Sequence, residues 1–550
     1  MRTLHLSLGH NASAVLTQNG DIVRGYEQER LDRKKGSSFF PALAINEALG
    51  NEDCDDVFIS HWRDDFDPAK TETKHYSAGF MLRRFPPSRI YAVGGEGKQT
   101  HHDAHARSVR AFFKAHTADH ERPYVTIVCD GFGTRQECLS VYRDGRLVHR
   151  TYGYSLSLGL MYQYTTGWLG MKENEDEYKL LGYEVGAREV LGPEQARTRA
   201  EAAHADGRLH AQQMLRASVE PYAGGLDASV GINLQALDVA RLHWHNRAQA
   251  WWELAGKPSG DRARRSVVAL QAQSYLEGAL AEIVATFVEE DDDLLLAGGV
   301  FYNVKLNNAI LNMRRGGRLC VHPLSGDQGA ALGLGDIPHG GLCWGDRVLD
   351  PHEVSLPNVI LSDEAAWPGQ AIELLERNRI VSVVRGRAEY GPRALCNTST
   401  LAVPTRRNVA VINALNDRND VMPMAPVILE ERARDAFFAR ETMRVVGSNH
   451  YMVITHEVRA DDFPDGVTHP DPTNPFRRTA RPQIVPKGYD PALEKVLDAL
   501  PHFCLINTSY NFHGQPIVHT AGDAIETHRL QCQRARALGL SLPYLILVRP

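Results

Sequence analysis

This 550-residue sequence lacks several signatures that assign a chain quickly to a class. Its eight cysteines are scattered without a CxxC pair, which argues against a zinc knuckle or a disulfide framework. No run approaches the roughly 20 apolar residues of a membrane span, and the start, MRTLHLSLGH, has no signal-peptide core. The formal net charge of −6 argues against a nucleic-acid binder driven by bulk charge. We therefore expect a cytoplasmic protein of two or three domains with neither membrane nor nucleic-acid partners.

The same order of predicted strands and turns occurs twice in the first part of the chain. RTLHLSLG and ASAVLTQ lead through Asn19-Gly20 to DIVRGYE, and YVTIVCD and ECLSVYR lead through Asp144-Gly145 to RLVHRTYGY. An Asn-Gly or Asp-Gly pair between apolar runs is a strong hairpin signal. The recurrence predicts two similar α/β halves that face a cleft, and the alternative is that unrelated β-meanders recur by chance.

Composition divides the chain near its middle. The stretch 335–363 is rich in proline and glycine and predicts a boundary between a first domain at 1–355 and a second at 364–550. Apolar residues at three- and four-residue spacing predict helices over most of 194–290. The proline-rich stretch 461–486 is interpreted as a long surface loop.

The segment THHDAH contains the clearest candidate metal ligands. His101 and His105 lie four apart at the start of a predicted helix that Thr100 would cap, so both imidazoles can share one face. An HxxxH pair by itself is weak evidence in a chain with 24 histidines. Asp130 and Asp327 each follow a strand, where ligands gather in α/β sheets. Together the four would form a nitrogen and oxygen set suited to iron, manganese or zinc, whereas each aspartate singly is more often a cap or turn residue.

Three further segments favour anion or nucleotide binding. Gly298-Gly299 follows the strand LLLA and opens toward a helix, although close packing explains many such pairs. GRAEYGPRALCN carries Arg387 and Arg393 around a Gly-Pro turn, and arginine forks suit phosphate oxygens. Arg418 follows in LNDRND, and Asn507 and Ser509 lie in LINTSYN. Capped turns and surface arginines are the alternative interpretation.

The ordered set of motifs resembles the O-carbamoyltransferase family of natural-product biosynthesis, which includes nodulation-factor, cephamycin and tobramycin carbamoyltransferases. The resemblance rests on LGHNASAVL, YEQERLDRKK, HHDAH, CDGFG, LAGGVFYN, GDQGAALG, GRAEYGPRALCN, RNDVMPMAP and NTSYNFHGQPIV. It implies a duplicated actin/sugar-kinase-like (ASKHA, TsaD-like) N-terminal domain and a YrdC-like α/β C-terminal domain. The second domain would form carbamoyl adenylate from carbamoyl phosphate and ATP with release of pyrophosphate. The first would transfer the carbamoyl group to a hydroxyl of a small-molecule acceptor and release AMP.

The resemblance also implies roles for individual residues. The metal, Fe(II) or another divalent ion such as Mn or Zn, would be held by His101, His105, Asp130 and Asp327. The catalytic candidates are His10, Lys34 and Lys35, and Gly298, Gly299 and Asn303 would hold the adenosine. Carbamoyl phosphate and ATP, the latter with Mg²⁺, would be bound by Arg387, Arg393, Arg418, Asn507 and Ser509.

Four positions depart from the family pattern, namely Asn11 for Asp, Cys396 for Gly, Asn416 for Lys and Gln515 for Glu. The loss of a lysine at position 416 puts the details of phosphate binding in question more than the reaction. A tRNA-modifying transferase and a non-catalytic nucleotide-binding regulator of the same fold are the alternatives. The acceptor is not identified by any pattern, and a homodimer stays open.

Overall fold

The computed structural model describes residues 1–8, 10–37, 40–60, 85–93, 99–119, 121–216, 234–347, 349, 356–418, 422–474, 476–502 and 504–549. No helix in these ranges is both long and apolar enough to cross a bilayer. In chain order the α-helices are α1 (Gln28–Asp32), α2 (Ala42–Leu49), α3 (His101–His116), α4 (Leu158–Trp168), α5 (Leu180–Tyr183), α6 (Ala187–Leu191), α7 (Pro193–Arg216), α8 (Leu234–Leu254), α9 (Asp261–Phe287), α10 (Val304–Met313), α11 (Asp327–Gly333), α12 (Trp367–Glu376), α13 (Arg406–Leu415), α14 (Glu430–Ala436), α15 (Ala439–Thr442), α16 (Pro491–Ala499) and α17 (Ala521–Ala537).

Two five-stranded sheets in the first region have the same topology. The first contains β1 (Arg2–Ser7), β2 (Ser13–Gln18), β3 (Asp21–Glu27), β4 (Asp56–Ile59) and β5 (Ile90–Ala92) in the order β3-β2-β1-β4-β5. The second contains β6 (Tyr124–Cys129), β7 (Glu137–Arg143), β8 (Arg146–Tyr152), β9 (Asp293–Ala297) and β10 (Leu319–Val321) in the order β8-β7-β6-β9-β10. In both sheets, the first three strands in chain order form an antiparallel meander. The remaining two strands run parallel to the first strand of that meander, which is β1 in one sheet and β6 in the other. The predicted duplication is confirmed.

The hairpin turns adopt the backbone that their sequences predict. Asn19 and Gly20 have φ of 55° and 92°, and Asp144 and Gly145 have φ of 50° and 77°. Positive φ at both central residues matches the twist of a two-residue hairpin, and Asn, Asp and Gly tolerate it best. Both meanders therefore fold from local turn chemistry.

The second region is built on a seven-stranded mixed sheet. Its strands are β12 (Val359–Ser362), β13 (Val381–Val384), β15 (Thr398–Ala402), β16 (Ala425–Leu429), β20 (Gln483–Val485), β21 (Leu505–Ser509) and β22 (Tyr544–Val548), in the order β12-β22-β13-β15-β21-β16-β20. A small sheet pairs β11 (Cys343–Gly345) with β14 (Ala388–Glu389), and another contains β17 (His456–Glu457), β18 (His469–Pro470) and β19 (Arg478–Ala480). The interpretation of 461–486 as one long surface loop is wrong, because three of these short strands lie within it.

Buried contacts join the two regions across the predicted boundary, part of which (350–355) lies outside the described residues. Glu27 and Arg30 of the first region clamp the backbone of Gly391: Arg30 donates to its carbonyl at 2.6 Å, and its N–H donates to Glu27 at 3.1 Å. Tyr390 donates its hydroxyl to Ser13 at 2.7 Å. These contacts hold the Gly-Pro turn that precedes Arg393 against the first region.

Candidate functional site

Helix α3 presents its two predicted ligands to the interior. Thr100 caps the helix reciprocally with Asp103, which confirms the predicted N-cap. The N–H groups of His101 and His102 donate to Thr134 Oγ1 at 3.0 Å and Glu137 Oε1 at 2.8 Å. Thr134 and Glu137 lie in the segment that follows β6 and begins with Asp130. This segment therefore provides one predicted ligand and also holds the start of α3, which carries the other two, His101 and His105.

The four predicted ligands converge although they come from three separate segments. His101 Nε2 lies 3.1 Å from His105 Nε2, 3.4 Å from Asp130 Oδ2 and 3.3 Å from Asp327 Oδ1. All four ligand atoms lie within 4.8 Å of one another, and both imidazoles are buried. Asp130 is aimed by two backbone N–H groups, because its Oδ1 accepts from Gly131 at 2.8 Å and Gly299 at 3.2 Å. Its Oδ2 is thereby left toward the histidines.

The electrostatics of this cluster reflect its crowding. Burial alone would lower the pKa of His101, but the charge of Asp327 and hydrogen bonds with both aspartates raise it well above the ordinary value. Burial would likewise raise the pKa of Asp130, but its hydrogen bonds with His101 and His105 hold that pKa below the ordinary range. The Asp130 carboxylate is thus available as an anionic ligand at neutral pH.

The donor set fits a divalent transition metal. Ligands about 2.1 Å from one ion lie about 3.0–3.4 Å apart at tetrahedral or octahedral angles, which matches the closest separations here. His101 Nδ1 contacts the Ser60 carbonyl at 2.9 Å and must donate to it, so the neutral form of this imidazole, which is the form that binds a metal, has its lone pair on Nε2, toward the other ligands. Two imidazole nitrogens with two carboxylate oxygens suit iron, manganese or zinc.

A glycine lets the two ligand-bearing helices touch. A Cβ at Gly333, the last residue of α11, would lie 1.8 Å from the backbone oxygen of Ala104 in α3. Backbone atoms cannot give way as a flexible side chain can, so only glycine fits this crossing. The contact keeps Asp327, at the start of α11, beside His101 and His105.

Other predicted residues of the first region lie around this cluster. His102 turns away and contacts Ser140 Oγ at 2.9 Å, as expected for a residue between the two ligands. His10 is exposed and contacts the carbonyl of Asn174 at 3.1 Å, and the described contacts do not join it to the four ligands. Lys34 is exposed. Lys35 is also exposed, and the surrounding protein lowers its pKa, the charges of Glu29 and Glu175 raise it, and the charge of Arg418 lowers it.

The Gly-Gly segment has a structural explanation. Gly298 has φ of 100°, and a Cβ there would lie 2.3 Å from the Cys129 carbonyl, so the sheet itself requires glycine. Gly299 serves the metal cluster through its N–H bond to Asp130. Asn303 caps α10 and donates to Gln273 Oε1 at 2.7 Å. Its predicted contact with adenosine stays a prediction.

Three guanidinium groups make up a second group of cations, which we call the arginine cluster: Arg393 and Arg481, whose charges interact, and Arg418, which acts together with Arg393 on the phenol of Tyr178. Burial lowers the pKa of all three, and each lacks a carboxylate partner among the described residues. Arg418 donates only to neutral oxygens, among them Thr508 Oγ1 and Asn511 Oδ1, each at 2.8 Å. Arg393 Nε is buried without a hydrogen-bond partner in the described part of the chain. Neighbouring half-buried cations without a carboxylate partner favour the binding of an anion.

The other predicted phosphate ligands divide into two groups. Asn507 and Ser509 point to the same face of β21: Asn507 contacts Ala394, and Ser509 contacts Arg418. Arg387 instead donates to the carbonyls of Val23, at 2.6 Å, and Trp344, and it pairs with Asp346. Its charge is therefore used at the boundary between the regions, and its contacts do not bring it into the arginine cluster.

Sequence reasoning missed Arg481. Arg481 lies in the stretch 461–486, whose prolines predict a surface loop. No motif in the sequence includes Arg481. The charge of Arg393 lowers the Arg481 pKa further, so the two cations are neighbours. The sequence carries no distinctive signal for it, because Arg481 follows two other arginines, Arg477 and Arg478, in the segment RRTARPQIV.

Tyr302 links the two centres. Burial raises its pKa, the charge of Arg393 lowers it and the charge of Asp327 raises it, so this one phenol is within electrostatic reach of both. Gln328, the neighbour of Asp327, donates to the phenol oxygen at 2.7 Å. The metal cluster and the arginine cluster are therefore close neighbours across the boundary.

Two departures from the family pattern have structural consequences. Cys396 has φ of 75°, a backbone conformation that suits the glycine that the resemblance predicts there and that indicates local strain for a cysteine. Asn416 is buried, accepts from Gln531 at 2.8 Å and leaves its Nδ2 without a partner among the described residues. A neutral amide thus stands where the family pattern has a cation.

Comparisons with known proteins agree with this assembly of motifs. Family models described as carbamoyltransferase N-terminus and carbamoyltransferase C-terminus match residues 96–335 and 372–540. The nodulation protein NolNO of Sinorhizobium fredii is 27% identical over 94% of this chain and 76% of that protein. The 3'-hydroxymethylcephem-O-carbamoyltransferase of Amycolatopsis lactamdurans is 29% identical over 44% of this chain and 47% of that protein.

Solved structures resemble the chain only weakly. HypF of T. kodakarensis aligns at a TM-score of 0.29 and 13% identity over 61% of this chain and 47% of that one. The assignment to a family rests on the two family matches, which include most of the residues of both clusters. The chain belongs to the carbamoyltransferase family and is an enzyme of that type.

Proposed function

We propose that this enzyme is an ATP-dependent O-carbamoyltransferase in which the arginine cluster activates the carbamoyl group and the metal cluster directs its transfer. The proposal rests on three half-buried guanidiniums without carboxylate partners among the described residues, beside a cluster of two histidines and two aspartates. Carbamoyl phosphate and the triphosphate of ATP are the anions that such a site would take. The YrdC-like identity of the second region and the division into 1–355 and 364–550 are part of this proposal.

The activation step determines which products are expected. Water converts carbamoyl phosphate to carbamate and phosphate, and a carbamate oxygen attacks the α-phosphorus of ATP while the bond to pyrophosphate breaks. The products are carbamoyl adenylate, pyrophosphate and phosphate. Arg393, Arg418 and Arg481 would hold the phosphoryl oxygens in place, and Asn507 and Ser509 on β21 would orient the carbamate.

The transfer step needs a stronger electrophile and a deprotonated alcohol. Nitrogen donation makes a carbamoyl carbon unreactive, and the adenylate supplies the leaving group. The acceptor hydroxyl oxygen forms a bond to this carbon, AMP departs, and the hydroxyl proton is lost to a base, for which His10 is the proposed candidate. A divalent ion, iron by the family resemblance, held by His101, His105, Asp130 and Asp327 would supply Lewis-acid stabilisation of developing negative charge. Lys35, near Arg418, would add positive charge.

The two steps can be tested apart. The protein loaded with Fe(II) is incubated with ATP, Mg²⁺ and carbamoyl phosphate, and pyrophosphate and phosphate are quantified. Arg393→Ala should lower kcat/KM for carbamoyl phosphate about 10- to 150-fold, the value of one or two charged hydrogen bonds. Arg529→Ala removes a surface arginine of α17 that pairs with Glu526 and should change nothing.

Replacement of a metal ligand should give the opposite pattern. His101→Ala should preserve pyrophosphate release and abolish carbamoylation across a panel of glycosides and aminoglycosides, followed by mass spectrometry. If the wild-type protein releases no pyrophosphate under any of these conditions, the proposal fails. If His101→Ala stops pyrophosphate release as well, the separation of the two steps fails.

A further inference from the structure

A carboxylate without an ion-pair partner among the described residues lies beside the segment that holds Asn303. Glu277, in the middle of α9, accepts a hydrogen bond from Gln273 Nε2 at 2.8 Å. Gln273 in turn accepts from Asn303 Nδ2 at 2.7 Å and from the hydroxyl of Tyr162 at 3.0 Å. A chain of hydrogen bonds therefore leads from Asn303, the predicted adenosine contact, to the Glu277 carboxylate.

No cation neutralises this carboxylate in the described part of the chain. The positive charge that acts on it is that of Lys305, whose ammonium already bonds to Glu184 and to the Leu181 carbonyl. The negative charge of Glu184 acts on Glu277 and adds to the cost of ionising it. Burial and Glu184 raise the pKa of Glu277 to about 7.

The surroundings of Glu277 indicate a ligand rather than a sealed core. Its side chain is only partly buried, although protein surrounds it densely enough to raise its pKa. The carboxylate has one protein donor among the described residues and retains acceptor capacity that the hydrogen-bond donors of a ligand can fill.

We propose that Glu277 binds a vicinal diol through its free carboxylate oxygens. Two neighbouring hydroxyls supply two neutral donors that a carboxylate can accept together, as acidic residues do for ribose hydroxyls elsewhere. The diol has two possible sources in the proposed function on which this inference rests: the ribose of the adenylate and a sugar acceptor. The position next to the Asn303 network favours the ribose.

The test compares matched pairs of ligands that differ by one hydroxyl. Dissociation constants are measured by calorimetry on the full chain for AMP and 2′-deoxy-AMP, and for methyl mannoside and its 2-deoxy analogue. Wild-type protein, Glu277→Gln, Glu277→Ala and the control Glu253→Gln, which changes an exposed helical glutamate, are compared. The nucleotide site of the second region is identical in every variant, so a changed preference belongs to Glu277.

We expect the wild-type protein to prefer AMP over 2′-deoxy-AMP by about 10- to 100-fold, the effect of one hydrogen bond to a charged group. Both Glu277 variants should reduce this ratio to within about threefold of unity, and Glu253→Gln should preserve it. Loss of preference only in the sugar pair would assign the diol to the acceptor. An unchanged ratio in both pairs, or no preference in the wild type, overturns the inference.

Failure of this inference is distinct from failure of the proposed function. A purely structural role for Glu277 would leave both ratios intact in the Glu277 variants, whatever their unfolding midpoints. Absence of pyrophosphate release by the wild-type protein would refute the reaction whatever Glu277 binds.

Discussion

Replacement of Asp130 by asparagine tests the metal cluster directly. Asp130 Oδ1 is held by the N–H groups of Gly131 and Gly299, so the side-chain carbonyl oxygen of the introduced asparagine should keep that orientation. The amide nitrogen then faces the two imidazoles, where it can donate a hydrogen bond but cannot ligate an ion. The substitution should therefore preserve the fold and remove one ligand.

The size of the effect follows from linkage between metal binding and stability. An ion at 100 times its dissociation constant stabilises the folded wild type by about 2.7 kcal/mol. If loss of the carboxylate weakens binding about 100-fold, the same ion concentration stabilises Asp130→Asn by only about 0.4 kcal/mol. Most of the metal-dependent rise in the thermal midpoint should disappear.

The assay is thermal unfolding with and without Fe(II), Mn(II) or Zn(II), together with metal content after gel filtration. Asp238→Asn is the matched control, because Asp238 is exposed on α8. Equal metal retention by Asp130→Asn and wild type would refute the assignment of Asp130 as a ligand. A wild-type midpoint that no divalent ion raises would refute the metal cluster altogether.

Three further predictions follow from packing and charge. Glu277→Gln should be more stable than wild type by about 3 kcal/mol above pH 7. The reason is that the Glu277 pKa is about 7 in the folded protein and 4.5 ordinarily, so ionisation of this carboxyl destabilises the folded wild type as the pH rises from 4.5 to 7. Urea unfolding at pH 4.5 and 8 should show the gain in stability only at pH 8. Gly333→Ala should destabilise the protein by at least about 1–3 kcal/mol and lower its metal content. The control Gly369→Ala should do neither, because Gly369 in α12 has open space around it. Equal unfolding midpoints for the two variants would contradict the helix contact. Arg481→Ala should raise KM for carbamoyl phosphate about tenfold in the pyrophosphate assay, and an unchanged KM would remove Arg481 from the anion site.

Local features of the sequence predicted a large part of the fold. The capped start of α3, the i and i+4 spacing of its histidines and the two hairpin turns depend on neighbours within a few residues, and all three are present. Val109, Phe112 and Phe113, the apolar residues of the same helix, are buried. Such features are readable because helix and strand periodicities and turn chemistry act over short chain distances.

The sequence by itself thus determined the elements, the duplication and which residue types could serve a metal or a phosphate. Only the tertiary structure decided which of them meet. Asp130 and Asp327 reach His101 through sheet topology and a helix crossing that a glycine allows, and neither is encoded by a local period. The same long-range packing commits Arg387 to backbone carbonyls of the first region and leaves Arg481 beside Arg393 without a carboxylate partner in the described part of the chain. The physical reason is that a side chain's charge and motif are local properties, whereas its counter-charge is set by residues hundreds of positions away.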